Sequence, residues 1–132
     1  MKTKTLRHKV KFKVGPEDIY MALMDSRRHA AFTRSAADIS PKVGGKIKAY
    51  DGYITGKNLE LVPNKKIVQT WRASGWPADH DSKVTFRLKK MKNGSELTLV
   101  HEGVPEPESK SIDQGWIDYY WKPMKELLEG RN

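Results

Sequence analysis

The side chains in this sequence that could carry chemistry are four histidines, His8, His29, His80 and His101, and several carboxylates. No histidine lies two, three or four residues from another, so the spacing that brings two imidazoles onto one metal ion is missing. The chain has no cysteine, which excludes thiolate metal sites, a cysteine nucleophile and structural disulfides. We therefore predict no metal site and no bound cofactor.

Two of the histidines occupy positions that could serve catalysis. His80 lies between Asp79 and Asp81, which could orient a base or bind a cation, but the nearby Pro and Gly residues are typical of a solvated loop. His101 continues the inward side of an alternating segment, where it could act as an acid, a base or an orienting group. We favour a hydrogen-bonded core histidine, or one at the sheet rim. Glu102 falls on the opposite face, so the two residues form no ready dyad.

Other catalytic motifs are missing or lack their structural setting. No serine lies in a Gly-x-Ser-x-Gly elbow, and there is no dinucleotide fingerprint. Gly44-Gly45-Lys46 lacks the strand–loop–helix setting of a phosphate loop and is typical of a hairpin turn. We predict that the protein is not an enzyme, with a cyclase-like activity at His101 as a lesser alternative.

Aromatic residues give a better indication of a binding site, because they could line a lipophilic pocket with a flexible methionine as one wall. The alternative is that the same side chains simply form the core. Trp76 and Trp121 are interpreted as surface aromatics that could contact a partner. The candidate pocket residues are Trp71, Phe86, His101, Trp116, Tyr119, Tyr120 and Met124.

The charge of the chain is unevenly distributed. The 132 residues include 25 basic and 16 acidic side chains, for a net charge of +9. The first 66 residues hold 15 basic and 6 acidic groups, so the whole excess lies in that half. Such asymmetry is typical of proteins with acidic partners, although a solvated basic face is the simpler interpretation.

Residues 3–14 alternate with a period of two, which predicts a half-buried strand. Leu6, His8, Val10, Phe12 and Val14 share one side of it. The basic side is the candidate surface for an acidic partner and is formed by Arg7, Lys9, Lys11 and Lys13. No aromatic residue is interleaved there and no recognition motif is visible, so we rank nucleic acid last among the partners.

The elements after this strand alternate between helix and turn-rich segments. Gly15-Pro16-Glu17-Asp18 favours the start of a helix, and a second short helix is predicted to about Phe32. Turn signals recur over residues 36–104 and predict an antiparallel meander, with Asn93-Gly94 as a type I′ hairpin. Residues 66–74 are typical of a strand, but either side of it could face inward.

A long C-terminal helix is predicted to begin between Pro107 and Ser111, with Ser111 and Gln114 as a capping box, and to end at Gly130. Its apolar arc of roughly 200° is twice the ~100° of a surface helix, which indicates a helix gripped by a curled sheet. Pro123 should bend it and free the Tyr119 carbonyl. We predict one α+β domain over residues 1–132, a curved antiparallel sheet wrapped around the C-terminal helix, with two short helices after the first strand.

A set of ordered segments resembles the domain found in activators of the ninety-kilodalton heat-shock chaperone ATPase. The set covers nearly the whole chain, and its order is more specific than any single motif. It includes the Trp76-Pro77 pair. The other segments are residues 52–56, 58–63, 66–72, 99–105, 114–116, 119–121 and 123–125.

This resemblance implies the helix-grip fold of the START-like (SRPBCC) superfamily, which includes Bet v allergen-like proteins and polyketide cyclases. It also implies a non-catalytic module whose partner is a ninety-kilodalton heat-shock chaperone or another acidic protein. The alternative is a carrier of a small lipophilic ligand held between sheet and helix. Because the first predicted strand begins near Thr3, we expect the separate anchoring domain of two-domain activators to be absent. No apolar run suits a membrane span or a signal peptide, so we expect a cytoplasmic protein.

Overall fold

The computed structural model describes residues 2–77 and 79–130 and contains one seven-stranded antiparallel sheet. Two helices, α1 (Pro16–Met24) and α2 (Ser26–Thr33), follow the first strand. The strand order is β1-β7-β6-β5-β4-β3-β2, so the predicted meander and the two short helices are confirmed. The strands are β1 (Thr3–Phe12), β2 (Asp38–Ile39), β3 (Lys46–Ala49), β4 (Ile54–Val62), β5 (Lys66–Ala73), β6 (Ser82–Met91) and β7 (Gly94–Pro105).

The C-terminal helix packs against the inner face of the sheet and changes its winding along its length. Across the described residues, no helix combines the length and apolar character that a membrane span requires. The helix consists of a 3₁₀ turn (Glu106–Glu108), α3 (Ser109–Gly115), a π-helical segment (Trp116–Trp121) and α4 (Lys122–Leu128).

The predicted capping box at Ser111 is wrong, because the helix has already begun two residues earlier. The Ser109 hydroxyl donates to the Glu106 carbonyl at 2.8 Å, inside the 3₁₀ turn that opens the helix. Gln114 does not reach back to the helix start. Its amide instead donates to the Asp118 carboxylate, one turn further along, at 3.1 Å.

The alternation of β1 is confirmed. Leu6 and Phe12 are buried on the inner face, while Arg7, Lys9 and Lys11 are exposed on the outer face. β1 pairs with β7 and forms one edge of the sheet, so the first and last strands of the chain are neighbours.

The structure settles which side of β5 faces the helix. Ile67, Gln69 and Trp71 are buried on the inner face. A glutamine is accommodated there because its amide N–H donates to the side-chain oxygen of Asn58 at 3.0 Å and its own side-chain oxygen accepts from the Trp71 indole at 3.2 Å. Asn58 in turn donates to two carbonyls of the β2–β3 loop. Gln69, which obscured the inward face of β5 in the sequence, thus has its hydrogen-bonding groups satisfied by Asn58 and Trp71.

The hairpin at Asn93-Gly94 forms, but the predicted turn type is wrong. Met91 pairs with Gly94, so Lys92 and Asn93 form the connection. The positive φ angle, 146°, belongs to Gly94 and not to Asn93. Any side chain at Gly94 would also place a Cβ atom 1.9 Å from the Phe12 carbonyl oxygen.

Pro123 acts on the C-terminal helix through the backbone turn that precedes it. The Lys122 N–H donates five residues back, to the Ile117 carbonyl, which is the π-helical pattern. Pro123 has no N–H to offer the Tyr119 carbonyl, and the Tyr50 hydroxyl donates to that carbonyl instead, at 2.5 Å. The extra residue in this turn breaks the 100° steps on which the predicted apolar arc was based. Tyr119 is therefore 61% exposed.

We expect Tyr50→Phe to lower the free energy of unfolding by about 1 kcal/mol, because the Tyr119 carbonyl loses its side-chain donor. Urea denaturation followed by circular dichroism would measure the change. Tyr53→Phe is the matched control, since it removes a hydroxyl from an exposed tyrosine of the same turn region. Equal shifts in the two variants would contradict the assigned role of Tyr50.

Candidate functional site

His101 lies fully buried between the sheet and the helix, with both ring nitrogens engaged. The Trp116 indole N–H, which can only donate, lies 3.1 Å from His101 Nδ1, so Nδ1 is the acceptor and the ring proton sits on Nε2. Nε2 then donates to Ser82 Oγ at 2.8 Å, and that hydroxyl donates to the Trp71 carbonyl at 2.8 Å. Burial lowers the pKa of His101 to about 3. His101 is thus a neutral, hydrogen-bonded core histidine.

A second indole–imidazole pair joins the helix to β1. The Trp121 indole donates to His8 Nδ1 at 2.9 Å, and His8 Nε2 lies 2.7 Å from the Asp113 carboxylate. The prediction that Trp121 is a surface aromatic is wrong, since only 4% of it is exposed. Its ring also stacks on Trp116, with centroids 5.4 Å apart.

His29 has a different environment. Its Nε2 lies 3.0 Å from the Tyr120 hydroxyl, while its Nδ1 has no hydrogen-bond partner among the described residues. Burial lowers the pKa of His29 to about 4 and raises that of Tyr120 well above its ordinary value. Within residues 2–77 and 79–130, no group of three histidine, aspartate or glutamate side chains could hold a metal ion.

The interior of the core, where the sheet meets α1, α2 and the C-terminal helix, is nearly filled. A void of about 10 Å³ lies there, lined in part by His29, Phe86 and Tyr120. That volume suits about one water molecule. A lipophilic ligand of ordinary size does not fit this void.

A larger opening lies at the surface, beside the turn between β3 and β4. This aromatic groove has a volume of about 520 Å³. Tyr50 and Tyr119 form a ridge between it and a second groove of about 600 Å³ at the end of α2. The residues lining the aromatic groove are Tyr50, Tyr53, Ile54, Trp71, Ser111, Ile112, Gly115, Trp116, Tyr119 and Tyr120.

The predicted pocket residues therefore divide between two places. Four of them line the aromatic groove: Trp71, Trp116, Tyr119 and Tyr120. Phe86, His101 and Met124 are buried in the core instead, and Phe86 lines the small void. Tyr50 and Tyr53 were missed, although their place in a glycine-containing turn after a short strand was the available signal.

The predicted basic residues also divide. Arg7, Lys9 and Lys11 lie together on the outer face of β1, opposite the helix. Lys13 follows the end of the strand, where its backbone N–H donates to the Glu129 carboxylate at 3.0 Å.

The loop that contains His80 is attached to the sheet. His80 Nε2 lies 2.7 Å from the Gly103 carbonyl, and Asp81 forms a 3.3 Å ion pair with Arg72. Trp76 is half-buried, with its ring centroid 5.8 Å from that of His80. The two loop carboxylates remain exposed, as a solvated loop requires.

A sheet curved around a C-terminal helix, with short helices after the first strand, defines the helix-grip class of START-like proteins. The chain belongs to the family described as Activator of Hsp90 ATPase homolog 1-like protein, which it matches over residues 13–129. A crystal structure of an HSP90 activator from Plasmodium falciparum superimposes with a TM-score of 0.89, at 25% identity over 95% of this chain and 96% of that one.

Two curated relatives extend the comparison. The human activator of 90 kDa heat shock protein ATPase homolog 1 is 33% identical over 89% of this chain. The Dictyostelium discoideum activator homologue is 37% identical over 86% of this chain. These alignments cover 35% and 30% of the respective relatives, so the chain spans about a third of the proteins that it matches.

We predict that acidification to pH 5.5 destabilises the fold. The unfolded chain binds protons at His29 and His101 below their ordinary pKa of 6.5, whereas the folded chain does so only near pH 4 and 3. Stability from these residues is therefore present above pH 6.5 and is lost as the pH falls. The free energy of unfolding should drop by about 2–3 kcal/mol between pH 7 and 5.5, measured by urea denaturation.

His101→Gln tests the assignment, because an amide can still accept from Trp116 and donate to Ser82 but does not titrate. The variant should lose about half of this pH dependence, with its stability compared at each pH. His80→Gln, in the surface loop, is the control and should retain the full dependence. If the free energy of unfolding of His101→Gln depended on pH as strongly as that of the wild type, His101 would not stay neutral in the folded protein.

Proposed function

We propose that this chain acts as one START-like interaction module of the co-chaperone type, which raises the ATPase rate of a ninety-kilodalton heat-shock chaperone without catalysing a reaction itself. The observation that carries the proposal is the match of residues 13–129 to the activator family. The similarity to an HSP90 activator over 95% of the chain adds to it.

The hydrogen bonding of the histidines supports a non-catalytic role. In His8 and His101 both ring nitrogens are engaged within the protein. A general base needs a ring nitrogen within reach of a substrate proton. His29 has a free nitrogen, but the residue is buried and faces a void that holds about one water.

Addition of the protein to the ninety-kilodalton chaperone of its own organism should raise the steady-state ATPase rate. The effect should weaken between 50 and 300 mM salt, because a chain with net charge +9 is steered to its partner electrostatically. A coupled phosphate-release assay would measure both results. An unchanged rate at saturating protein, together with no binding in calorimetry, would refute the proposal.

The aromatic groove favours a second candidate function, which is the binding of a small lipophilic molecule. Its volume of about 520 Å³ lies within the usual ~300–1,000 Å³ of ligand sites. Tyr53 and Tyr119 are exposed at its rim, and Trp71 and Trp116 lie deeper within it. This candidate places the ligand in the opening between the C-terminal helix and strands β4 and β5.

Nile red, an uncharged lipophilic dye, would test this candidate by fluorescence titration. We expect Tyr119→Ala to weaken dye binding at least about fivefold, because it removes exposed aromatic surface from the groove while keeping the backbone carbonyl that Tyr50 contacts. Leu59→Ala, at an exposed apolar position outside the groove, is the control. Equal binding by both variants would exclude the groove as the site.

A further inference from the structure

The outer face of the sheet carries far more positive than negative charge. The strand registers place eleven cations and four carboxylates at outward positions from Arg7 onward. This surface, the outer cationic face, extends well beyond the predicted basic side of β1. Its cations are Arg7, Lys9, Lys11, Lys46, Lys48, Lys57, Lys66, Arg72, Lys83, Arg87 and Lys89.

Some of these cations lie opposite carboxylates and others lie opposite each other. Lys48 is opposite Asp38, Lys83 is opposite Glu102, and Glu96 lies between Lys11 and Lys89. Lys66 lies directly opposite Arg87 in the β5–β6 register, and Lys46 lies directly opposite Lys57 in the β3–β4 register. Like charges at directly opposed positions destabilise a sheet. A fold can tolerate such local conflicts where a function requires them.

Few of the cations are neutralised within the chain. Among the described residues, the ion pairs on this face involve Lys66, which lies 3.1 Å from Glu60, and Arg72, which pairs with Asp81 in the neighbouring loop. The remaining cations present their charge to solvent or to a partner.

The centre of the outer cationic face is a row of small, uncharged side chains. Val68, Thr85 and Val100 lie in one register row across β5, β6 and β7, and the row ends at Arg7. Val68 is only 7% exposed and Thr85 only 8%, although both point away from the core. A small apolar centre with a charged rim is the usual anatomy of a protein–protein interface.

The same face is poorly suited to nucleic acid. Within the described strands, no outward position carries an aromatic residue on which a base could stack. The face also presents the broad side of a sheet and no helix that could enter a groove of a duplex. A cationic face without stacking aromatic residues therefore suits an acidic protein surface better than a nucleic acid.

We propose that the outer cationic face is the docking surface of this module for an acidic surface of its protein partner, with the Val68–Thr85–Val100 row at its centre. This inference rests on the proposed function, since it takes the ninety-kilodalton chaperone as that partner. It places the partner on the side of the sheet opposite the C-terminal helix and the aromatic groove.

The test compares two double charge reversals of equal size. Lys9→Glu/Arg87→Glu changes two cations in one row of the outer cationic face, both of them opposite Thr98, whereas Lys42→Glu/Lys110→Glu changes exposed lysines elsewhere. Circular dichroism and thermal unfolding would first establish that both variants fold. Affinity for the chaperone would then be measured by calorimetry at 150 mM salt, together with ATPase rates and binding of a 20-base-pair DNA duplex.

We expect the outer-face variant to lose at least tenfold in chaperone affinity and the control variant less than twofold. Similar losses in both variants would overturn the docking surface and leave the proposed function intact. If the wild-type protein neither binds the chaperone nor stimulates it, both proposals fail. Wild-type binding to the DNA duplex that exceeds binding to the chaperone, and that the outer-face variant abolishes, would assign the face to nucleic acid instead.

A third variant separates the apolar centre from general charge attraction. Val68→Lys adds a cation to the face, so pure electrostatic attraction predicts equal or tighter binding. If the Val68–Thr85–Val100 row contacts the partner, the lysine should weaken binding at least fivefold. Tighter binding would overturn the claim that the row forms the centre of the interface.

Discussion

Two indole–imidazole hydrogen bonds determine how the C-terminal helix sits on the sheet. Trp116 donates to His101 on β7, and Trp121 donates to His8 on β1. Both tryptophans belong to the π-helical segment, so its altered winding lets two residues five positions apart reach adjacent strands. Because an indole N–H can only donate, each pair also fixes the tautomer of its histidine. The two contacts hold the tryptophans in the closed core, and burial in that core keeps His101 neutral.

A core packed in this way limits the places where the protein can bind a ligand or a partner. With a void of only about 10 Å³ deep in the core, recognition must use the outer surface or the open aromatic groove between the helix and the sheet. The two candidate surfaces lie on opposite sides and differ in chemistry, because one is an aromatic groove and the other is the cationic outer face of the sheet. A START-like fold with a filled interior can thus serve as a scaffold for surface contacts, in agreement with membership of an activator family.

The sequence predicted the antiparallel meander, the helices and the inner face of β1, because these depend on local periodicity and turn residues. It did not predict that β1 pairs with β7. It failed where a distant partner decides the outcome. Trp121 looked exposed because its acceptor, His8, lies 113 residues away. Gln69 obscured the inner face of β5 because its partner Asn58 is on another strand. Tyr119 was placed on the apolar arc because regular helical steps cannot anticipate a π-helical turn. Of the aromatic groove, the sequence predicted Trp71, Trp116, Tyr119 and Tyr120. It missed Tyr50 and Tyr53 because they belong to a turn and not to an element with a periodic pattern.

The pairing of β1 with β7 has a consequence for biosynthesis. The ribosome makes β1 well before it makes the strand neighbour of β1 and the helix that contacts His8. The nascent β1 must therefore remain without that neighbour until β7 has emerged. An unpaired strand is prone to aggregate, and closely spaced lysines and arginines oppose this by mutual repulsion. The cations of β1 would then protect the chain during translation before they serve any purpose in the folded protein.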